Sequence, residues 1–544
     1  MVCKMTSITC AMSVLIVVCG GTVTFTGLGA FEVENAAFSN LYRNSNATSE
    51  KDRYDLLVSS FSAIPFTADS VHLVRGVGQY MDSVAGIKPQ TLTTKTTWPN
   101  EVAGVPEEIF GKRMVVIPDG FLVPFKTNGE IRLMDISSDI AIGPYVITSD
   151  VTGSWFYHRV QWHDMDGDGD QDIVTCRARV PIIGSRASEL LWLENPDGDY
   201  SVQWLPHVLA PGPDTFFRYT VFNSTDGPLD CVVAAEYFSQ RLVVYWTTDP
   251  NHAWTNSSMV KSRVIDDTVG ALFEVKVTDV NGDGDLDLLV TNNGNNGSVF
   301  VYQIPADFRT GEFRRHTLAS GYGPVHLGQG KGAPGSSFTV SVPNQRKFLP
   351  RHVIPLIHMK LNEYHCHLCH FGYRKPLILV SGDDNGHVFV LSPHSQDADD
   401  WSYTQTTFFH NGGTVGQLSF GDVDGDGNTE IFVPSYSTSS VLVYRMTFDD
   451  ELSYNTDKCK PRGTKALLKV QYEEVCKETM ACNDFDIFRP ASCCGRRIRA
   501  VTRAFSVNRT CWRPGRIPYS DIPSSTARTN SLAAWWPPNT SMSD

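Results

Sequence analysis

The chain has 544 residues, of which 41% are apolar and 19% charged. That is enough apolar material for one large repeat architecture or several domains, and it excludes wholesale disorder. A formal net charge of −13 argues against a nucleic-acid partner for the chain as a whole.

In chain order, Lys4 is followed by an apolar run centred on Ala11 to Cys19 and by small residues ending at Gly27-Leu28-Gly29-Ala30. This reads as a secretory signal peptide over residues 1–30. The alternative is an uncleaved signal anchor, because residues 8–30 just suffice to cross a bilayer. Secretion fits the sequons at Asn46, Asn223, Asn256, Asn296, Asn508 and Asn539, which are potential glycan acceptors.

A short apolar strand then recurs as Val71-His-Leu-Val, Ile131-Arg-Leu-Met, Leu190-Leu-Trp-Leu, Leu242-Val-Val-Tyr, Val299-Phe-Val-Tyr, Val388-Phe-Val-Leu and Val441-Leu-Val-Tyr. The intervals between starts are 60, 59, 52, 57, 89 and 53 residues, so one is too long by about 30. A preceding strand recurs as Tyr54 to Val58, Asp230 to Val233, Leu286 to Val290 and Pro376 to Val380. Seven sheet units of about four strands, each too small to bury its own faces, stack radially. The expected fold is all-β, a seven-bladed β-propeller over residues 31–448, with residues 31–50 as candidates for the strand that seals the circle.

Three nonapeptides interrupt the strands. They are Asp164-Met-Asp166-Gly-Asp168-Gly-Asp170-Gln-Asp172, Asp279-Val-Asn281-Gly-Asp283-Gly-Asp285-Leu-Asp287 and Asp422-Val-Asp424-Gly-Asp426-Gly-Asn428-Thr-Glu430. Positions 1, 3, 5 and 9 carry oxygen ligands, and Gly at position 6 lets the backbone turn tightly enough for them to converge. Position 7 (Asp170, Asp285, Asn428) is expected to lend its backbone carbonyl. Such a set suits Ca²⁺, which accepts six to eight hard oxygens. An EF-hand would need a bidentate acid at position 12 and flanking helices. Position 12 is Thr175, Val290 and Val433 here, and the flanks read as strands. A bare acidic hairpin explains one copy as well as calcium does, but not three in register.

The chain resembles the FG-GAP/VCBS repeat family, the propellers of integrin α heads, over roughly residues 45–446. The Asp-x-Asp-x-Asp-Gly-x-x-Asp loop running into a strand carries the resemblance. It implies that Asp164, Asp166, Asp168 and Asp172 bind one calcium, Asp279, Asn281, Asp283 and Asp287 a second, and Asp422, Asp424, Asp426 and Glu430 a third. The Gly-Ala-Pro that integrin-like repeats carry after the loop is replaced by Cys176-Arg177, Asn292-Asn293 and Ser435-Tyr436. The resemblance therefore implies a secreted propeller rather than an integrin subunit. The corresponding Asn223 to Asp230 segment keeps only part of the ligand set and reads as a metal-free turn.

The overlong interval holds an insertion at about 342–374 with His365-Cys366-His367-Leu368-Cys369-His370, either a zinc site or a disulfide-bearing or unordered loop. From 449 to 515 the chain turns basic and holds Cys459, Cys476, Cys482, Cys493, Cys494 and Cys511, a disulfide-bearing extension. Residues 516–544 read as a disordered tail.

No Gly-x-Ser-x-Gly, His-Glu-x-x-His or P-loop is present. A polar alternation at the inner strands instead puts Arg159, Arg218, Glu274, Lys276 and Gln417 toward the channel, as ligand contacts or as inter-blade hydrogen bonds. The expected function is an extracellular calcium-binding module for a protein or glycan, of adhesion type. The alternative is a secreted carbohydrate-active enzyme, a polysaccharide lyase or sugar dehydratase, using the channel.

Overall fold

Each of the seven recurring strands is the third strand of an antiparallel meander, and the meanders close into a ring. A computed structural model describes residues 13–18, 21–64, 66–121, 126–148, 155–180, 185–328, 330–341 and 375–449. Strands β1 (Ser13–Val18) and β2 (Gly21–Glu32) precede the first blade. Blade 1 holds β3 (Ala36–Arg43), β4 (Tyr54–Ser60), β5 (Ser70–Val74) and β6 (Gln90–Thr93). Blade 2 holds β7 (Ala103–Gly104), β8 (Met114–Pro118), β9 (Ile131–Asp135) and β10 (Ile142–Val146). Blade 3 holds β11 (Phe156–His163), β12 (Asp172–Arg179), β13 (Ala187–Glu194) and β14 (Leu205–Pro211). Blade 4 holds β15 (Phe216–Ser224), β16 (Gly227–Glu236), β17 (Arg241–Thr247) and β18 (Val260–Asp266). Blade 5 holds β19 (Leu272–Thr278), β20 (Asp287–Asn292), β21 (Gly297–Gln303) and β22 (Arg314–Tyr322). Blade 6 holds β23 (Ser337–Val340), β24 (Leu377–Ser381), β25 (His387–Pro393) and β26 (Tyr403–His410). Blade 7 combines β27 (Ser419–Gly421), β28 (Thr429–Ser435) and β29 (Ser440–Asp449) with β2 and β1.

The core is divided into inter-blade seams. Leu56 and Val58 of β4 pack with Val423, Phe432 and Val443 of blade 7, while Leu57 packs with Val115 and Ile117 of blade 2. Successive side chains of a strand point to opposite faces, so a central strand covered on both sides must be apolar at every position. The remaining seams repeat this between blades 2 and 3, 3 and 4, 4 and 5, 5 and 6, and 6 and 7. At the ring junction the Ser39 amide donates to the Gln417 carbonyl at 3.2 Å.

The strand that closes the circle lies mostly upstream of residues 31–50, which hold only its last two residues and the innermost strand β3. It is β2, paired with β29 from Thr22–Asp449 to Glu32–Ser440. The leader expected over 1–30 therefore overlaps a folded element, and the propeller begins upstream of residue 31. Val23 and Phe25 are fully buried, and Phe25 stacks on Phe408 with ring centroids 4.8 Å apart. Small and β-branched residues suit the tail of a leader, but here Val23 and Phe25, two apart, fill one face of a strand. Of the residues proposed as a membrane anchor, 13–18 and 21–30 are strands, and among the described residues no helix is long and apolar enough to cross a membrane. The insertion at 342–374, residues 450–544 and the six extension cysteines lie outside the described residues. The insertion joins β23 to β24, whose Val340 and Leu377 pair directly. Cys176 and Cys231 are buried free thiols.

Candidate metal loops and channel cavity

The three acidic nonapeptides link the first and second strands of blades 3, 5 and 7, and no helix flanks them. Their hydrogen bonds are congruent. In the first, Asp164 accepts the Gly167 amide on Oδ1 (2.7 Å) and the Gly169 amide on Oδ2 (3.1 Å). In the second, Asp279 accepts from Gly282 (2.7 Å) and Gly284 (2.9 Å), and in the third Asp422 accepts from Gly425 (2.8 Å) and Gly427 (3.2 Å). Position 3 accepts from the amide of position 5, and position 5 from that of position 7, in all three. Position 9 accepts from the amide of position 2: Met165 to Asp172, Val280 to Asp287, Val423 to Glu430. Glycines at positions 4 and 6 have φ of +84° and +103°, +76° and +91°, and +78° and +86°, so both are held in a conformation that favours glycine.

Positions 1, 3 and 9 converge. Carboxylate oxygens of Asp164, Asp166 and Asp172 lie within 4.8 Å of one another, as do those of Asp422, Asp424 and Glu430. Asp279, Asn281 and Asp287 hold the same backbone bonds with one amide in place of a carboxylate. Asp168, Asp283 and Asp426 accept backbone amides from position 7. Both Asp170 carboxylate oxygens are buried without a hydrogen-bond partner among the described residues, so its side chain, not only its carbonyl, turns inward. This all-oxygen donor set fits a hard divalent cation.

The loops differ in the residue that faces position 9 from the third strand. It is Glu194 in blade 3, Gln303 in blade 5 and Arg445 in blade 7. Arg445 bonds Asp424 (2.5 Å) and Glu430 (2.8 Å) and lies 3.3 Å from Asp426. The third loop thus carries its own cation, and the first is the least neutralised. The aligned third-strand repeats would have revealed this, since these residues follow Leu193, Tyr302 and Tyr444.

Electrostatics mirror the crowding. Burial, then the neighbouring Asp168 and Asp166, raise Asp170 to about 6. Burial is also the main cause that lifts Asp172, Asp287 and Glu430 to about 7, with nearby carboxylates adding to it. Without a cation these groups hold protons that ordinary carboxylates release near pH 4.

The channel candidates divide. Arg159, Arg218, Glu274 and Lys276, from the inner strands of blades 3, 4 and 5, form one cluster in which Arg159 and Glu274 are buried and Arg218 and Lys276 half-buried. Glu274 receives Arg159 at 2.8 Å, Arg218 at 3.4 Å, Lys276 at 3.3 Å and the Ser336 hydroxyl at 3.3 Å. Glu101 of the segment preceding β7 lies 3.3 Å from Arg159. Burial would raise the Glu274 carboxyl, but Arg159, Lys276 and Arg218 outweigh it and hold it near about 2. Burial and then Arg218 push Lys276 well below the usual ammonium range.

Gln417 sits apart, in the wall of a cavity of ≈ 140 Å³ at the other rim, where the inner strands begin. One wall is the stack of Phe61, Trp98 and Phe121, with ring centroids 4.2 and 5.1 Å apart. Across it lie Asp383 and Asp384. Asp384 accepts Lys331 and the Thr414 hydroxyl, both at 2.7 Å, and Asp383 accepts the Asn293 amide at 3.1 Å. Burial, then the Asp384 charge, raise Asp383 well above the usual carboxylate range. No sequence motif marks this cavity, which loops of several blades assemble.

Among the sequons, Asn46, Asn223, Asn256 and Asn296 are exposed, while Asn508 and Asn539 lie outside the described residues. The Asn223 to Asp230 segment is a tight hairpin whose Asp226 bonds Arg309 at 2.6 Å.

No family model and no curated protein matches the chain. Among solved structures it is similar to a Bacteroides uniformis protein described as a candidate 6-phosphogluconolactonase, at 10% identity and TM-score 0.37, over 74% of this chain and 98% of that one. It is also similar to the Nup133 β-propeller domain of Vanderwaltozyma polyspora, at 9% identity and TM-score 0.39, over 80% and 100% of the two chains. Neither likeness bears on activity at these values, and the propeller assignment rests on the strand pairing itself.

Proposed function

We propose that this chain is an extracellular, glycosylated propeller of the FG-GAP/VCBS kind, which binds calcium in its three acidic loops and presents a stiffened rim to a protein or glycan. The observation that carries the reading is the threefold repetition of one hydrogen-bond pattern around converging carboxylates. Bound calcium would neutralise those carboxylates and tie the first strand of each blade to the second. Asp164, Asp166 and Asp172 form the tightest site on charge grounds. The second loop has one carboxylate fewer, and at the third a cation must displace Arg445. Arg159, Arg218, Glu274 and Lys276 satisfy one another, which favours binding over the lyase or dehydratase alternative.

At extracellular affinities of roughly 10⁻⁴–10⁻³ M, about 1 mM calcium stabilises each site by roughly 0.4–1.4 kcal/mol. The sign with pH follows from the raised carboxyls. Their folded-state pKa lies above the unfolded value near 4, so in chelator their contribution is present below about pH 4 and is lost as pH rises to about 7. Melting in chelator should therefore weaken between about pH 5 and about pH 7.5, and calcium should raise the melting temperature more at the higher pH. Equal melting with calcium and chelator at both pH values removes the metal reading.

A further inference from the structure

Positive charge is not spread evenly over this acidic chain. Between Ile173 and Ser188 stand three arginines, Arg177, Arg179 and Arg186, and no Asp or Glu, in a chain of net charge −13. They belong to the β12–β13 hairpin of blade 3. Ala178 pairs with Phe156 at the start of β11, so the hairpin lies at the rim where the inner strands begin. The Asp164–Asp172 loop is at the opposite end of the same blade.

Trp155 organises the site. Arg177 and Arg179, two apart and so on one face of β12, both lie over its ring, at 4.5 and 4.7 Å. Arg177 is held by Glu189, at 2.9 Å through Nε and 2.7 Å through Nη2. Arg179 has no such partner: among the described residues no carboxylate pairs with it and it donates no hydrogen bond. Its Nε is shut against the protein, while both Nη reach solvent. Arg186 is turned to blade 4, where it donates to the Phe238 carbonyl at 3.1 Å and lies over that ring at 5.0 Å, again without a carboxylate.

Three guanidiniums against Glu189 alone leave the hairpin with surplus positive charge. An arginine free to swing into water would carry no message. Arg179 differs because stacking on the indole fixes the plane of its guanidinium, so rotamer freedom is already given up and the Nη edge is aimed before a ligand arrives. A planar fork of N–H donors matches the oxygens of an oxyanion. A carboxylate is filled by one fork. A tetrahedral group can take the Arg179 fork and still turn an oxygen toward the Arg177 charge.

We propose that this rim site binds one tetrahedral oxyanion, a sulfate or phosphate group, on the Nη edge of Arg179, with Arg177 beside it and Arg186 adding to the local field. The ion needs no calcium. Its being carried as a sulfate ester on a glycan rests on the extracellular glycan-binding reading, and the two fail separately.

The test is a calorimetric titration of the full chain with sodium sulfate, sodium phosphate, N-acetylglucosamine 6-sulfate and an oligoglutamate peptide, at constant ionic strength in chloride. Sulfate should bind in the millimolar range, equally in calcium and in chelator. Arg179→Met keeps the stem over Trp155 and should weaken binding about tenfold. Glu189→Gln removes the one carboxylate at the site and should strengthen binding severalfold, while Arg263→Gln on β18 should leave it unchanged. If Arg179→Met does not fold, the gain in Glu189→Gln carries the test alone. Tighter binding of the sulfated sugar than of inorganic sulfate identifies a glycan ester. Equal binding identifies a free ion, which keeps the site and removes the glycan. Absence of sulfate and phosphate binding in the millimolar range overturns the proposal. So does binding that Arg179→Met and Glu189→Gln leave unchanged, or a preference for the carboxylate peptide.

Discussion

Replacing Glu274 with alanine is expected to cost about 3–5 kcal/mol of stability, the usual loss when one partner of a buried ion pair is removed. Glu274 is fully buried and answers three cations from three blades. Its removal leaves Arg159 with Glu101 alone and strands Arg218 and Lys276 in the channel. Arg159 is buried and packed over the Phe216 ring at 4.5 Å, so its guanidinium does not reach water without repacking, whereas Lys276, over Phe338 at 4.4 Å, is only half-buried. Glu274→Gln keeps the volume and should fall between the two. Adding Lys276→Met to Glu274→Ala should recover part of the loss, because it removes one stranded charge. Because Glu274 is held near about 2, below its unfolded value near 4.3, its contribution is present above about pH 4 and lost as pH falls toward about 2. Thermal and denaturant melts read the effect, and a loss below about 1 kcal/mol would mean that the cluster is solvated rather than sealed.

Removing residues 1–30 is expected to abolish cooperative unfolding of the ring or to lower its stability by on the order of 5 kcal/mol or more. The deletion strips β1 and most of β2 from blade 7, uncovers Phe408 by removing Phe25, and leaves β29 as an open edge. An unpaired edge strand is also a template for aggregation. Chains starting at residue 13 and at residue 31 can be compared by calorimetry and light scattering, alongside mass spectrometry of the N-terminus of the protein as expressed. A chain starting at residue 31 that melts like the longer one would show that β2 does not close the ring.

Much of the ring was legible because a propeller blade is covered by its neighbours on both sides. Leu56-Leu57-Val58 and Ile431-Phe432-Val433 are apolar at every position for that reason, and five of the seven third strands stood out by the same rule, His72 and Arg132 interrupting the other two. The convergence of the acidic loops was legible because their carboxylates are local, within nine residues. β2 was not, since one composition serves both the small-residue end of a leader and a strand whose Val23 and Phe25 face a core. The channel positions could be read from alternation. Their partners could not, since nothing in the sequence ties Arg159 to Glu274, 115 residues away. The cavity was illegible for a related reason: His158, Asp383 and Gln417 come from different blades, and the left-handed φ at Trp98 follows no glycine signal.

Anomalous scattering from a crystal grown in calcium tests the central claim most directly. The account predicts a peak among Asp164, Asp166 and Asp172, a second in the Asp279–Asp287 loop, and a third, the weakest, where Arg445 has swung away from Asp424 and Glu430. A map without density at these loops, with the carboxylates still bonded only to backbone amides and Arg445, would contradict it.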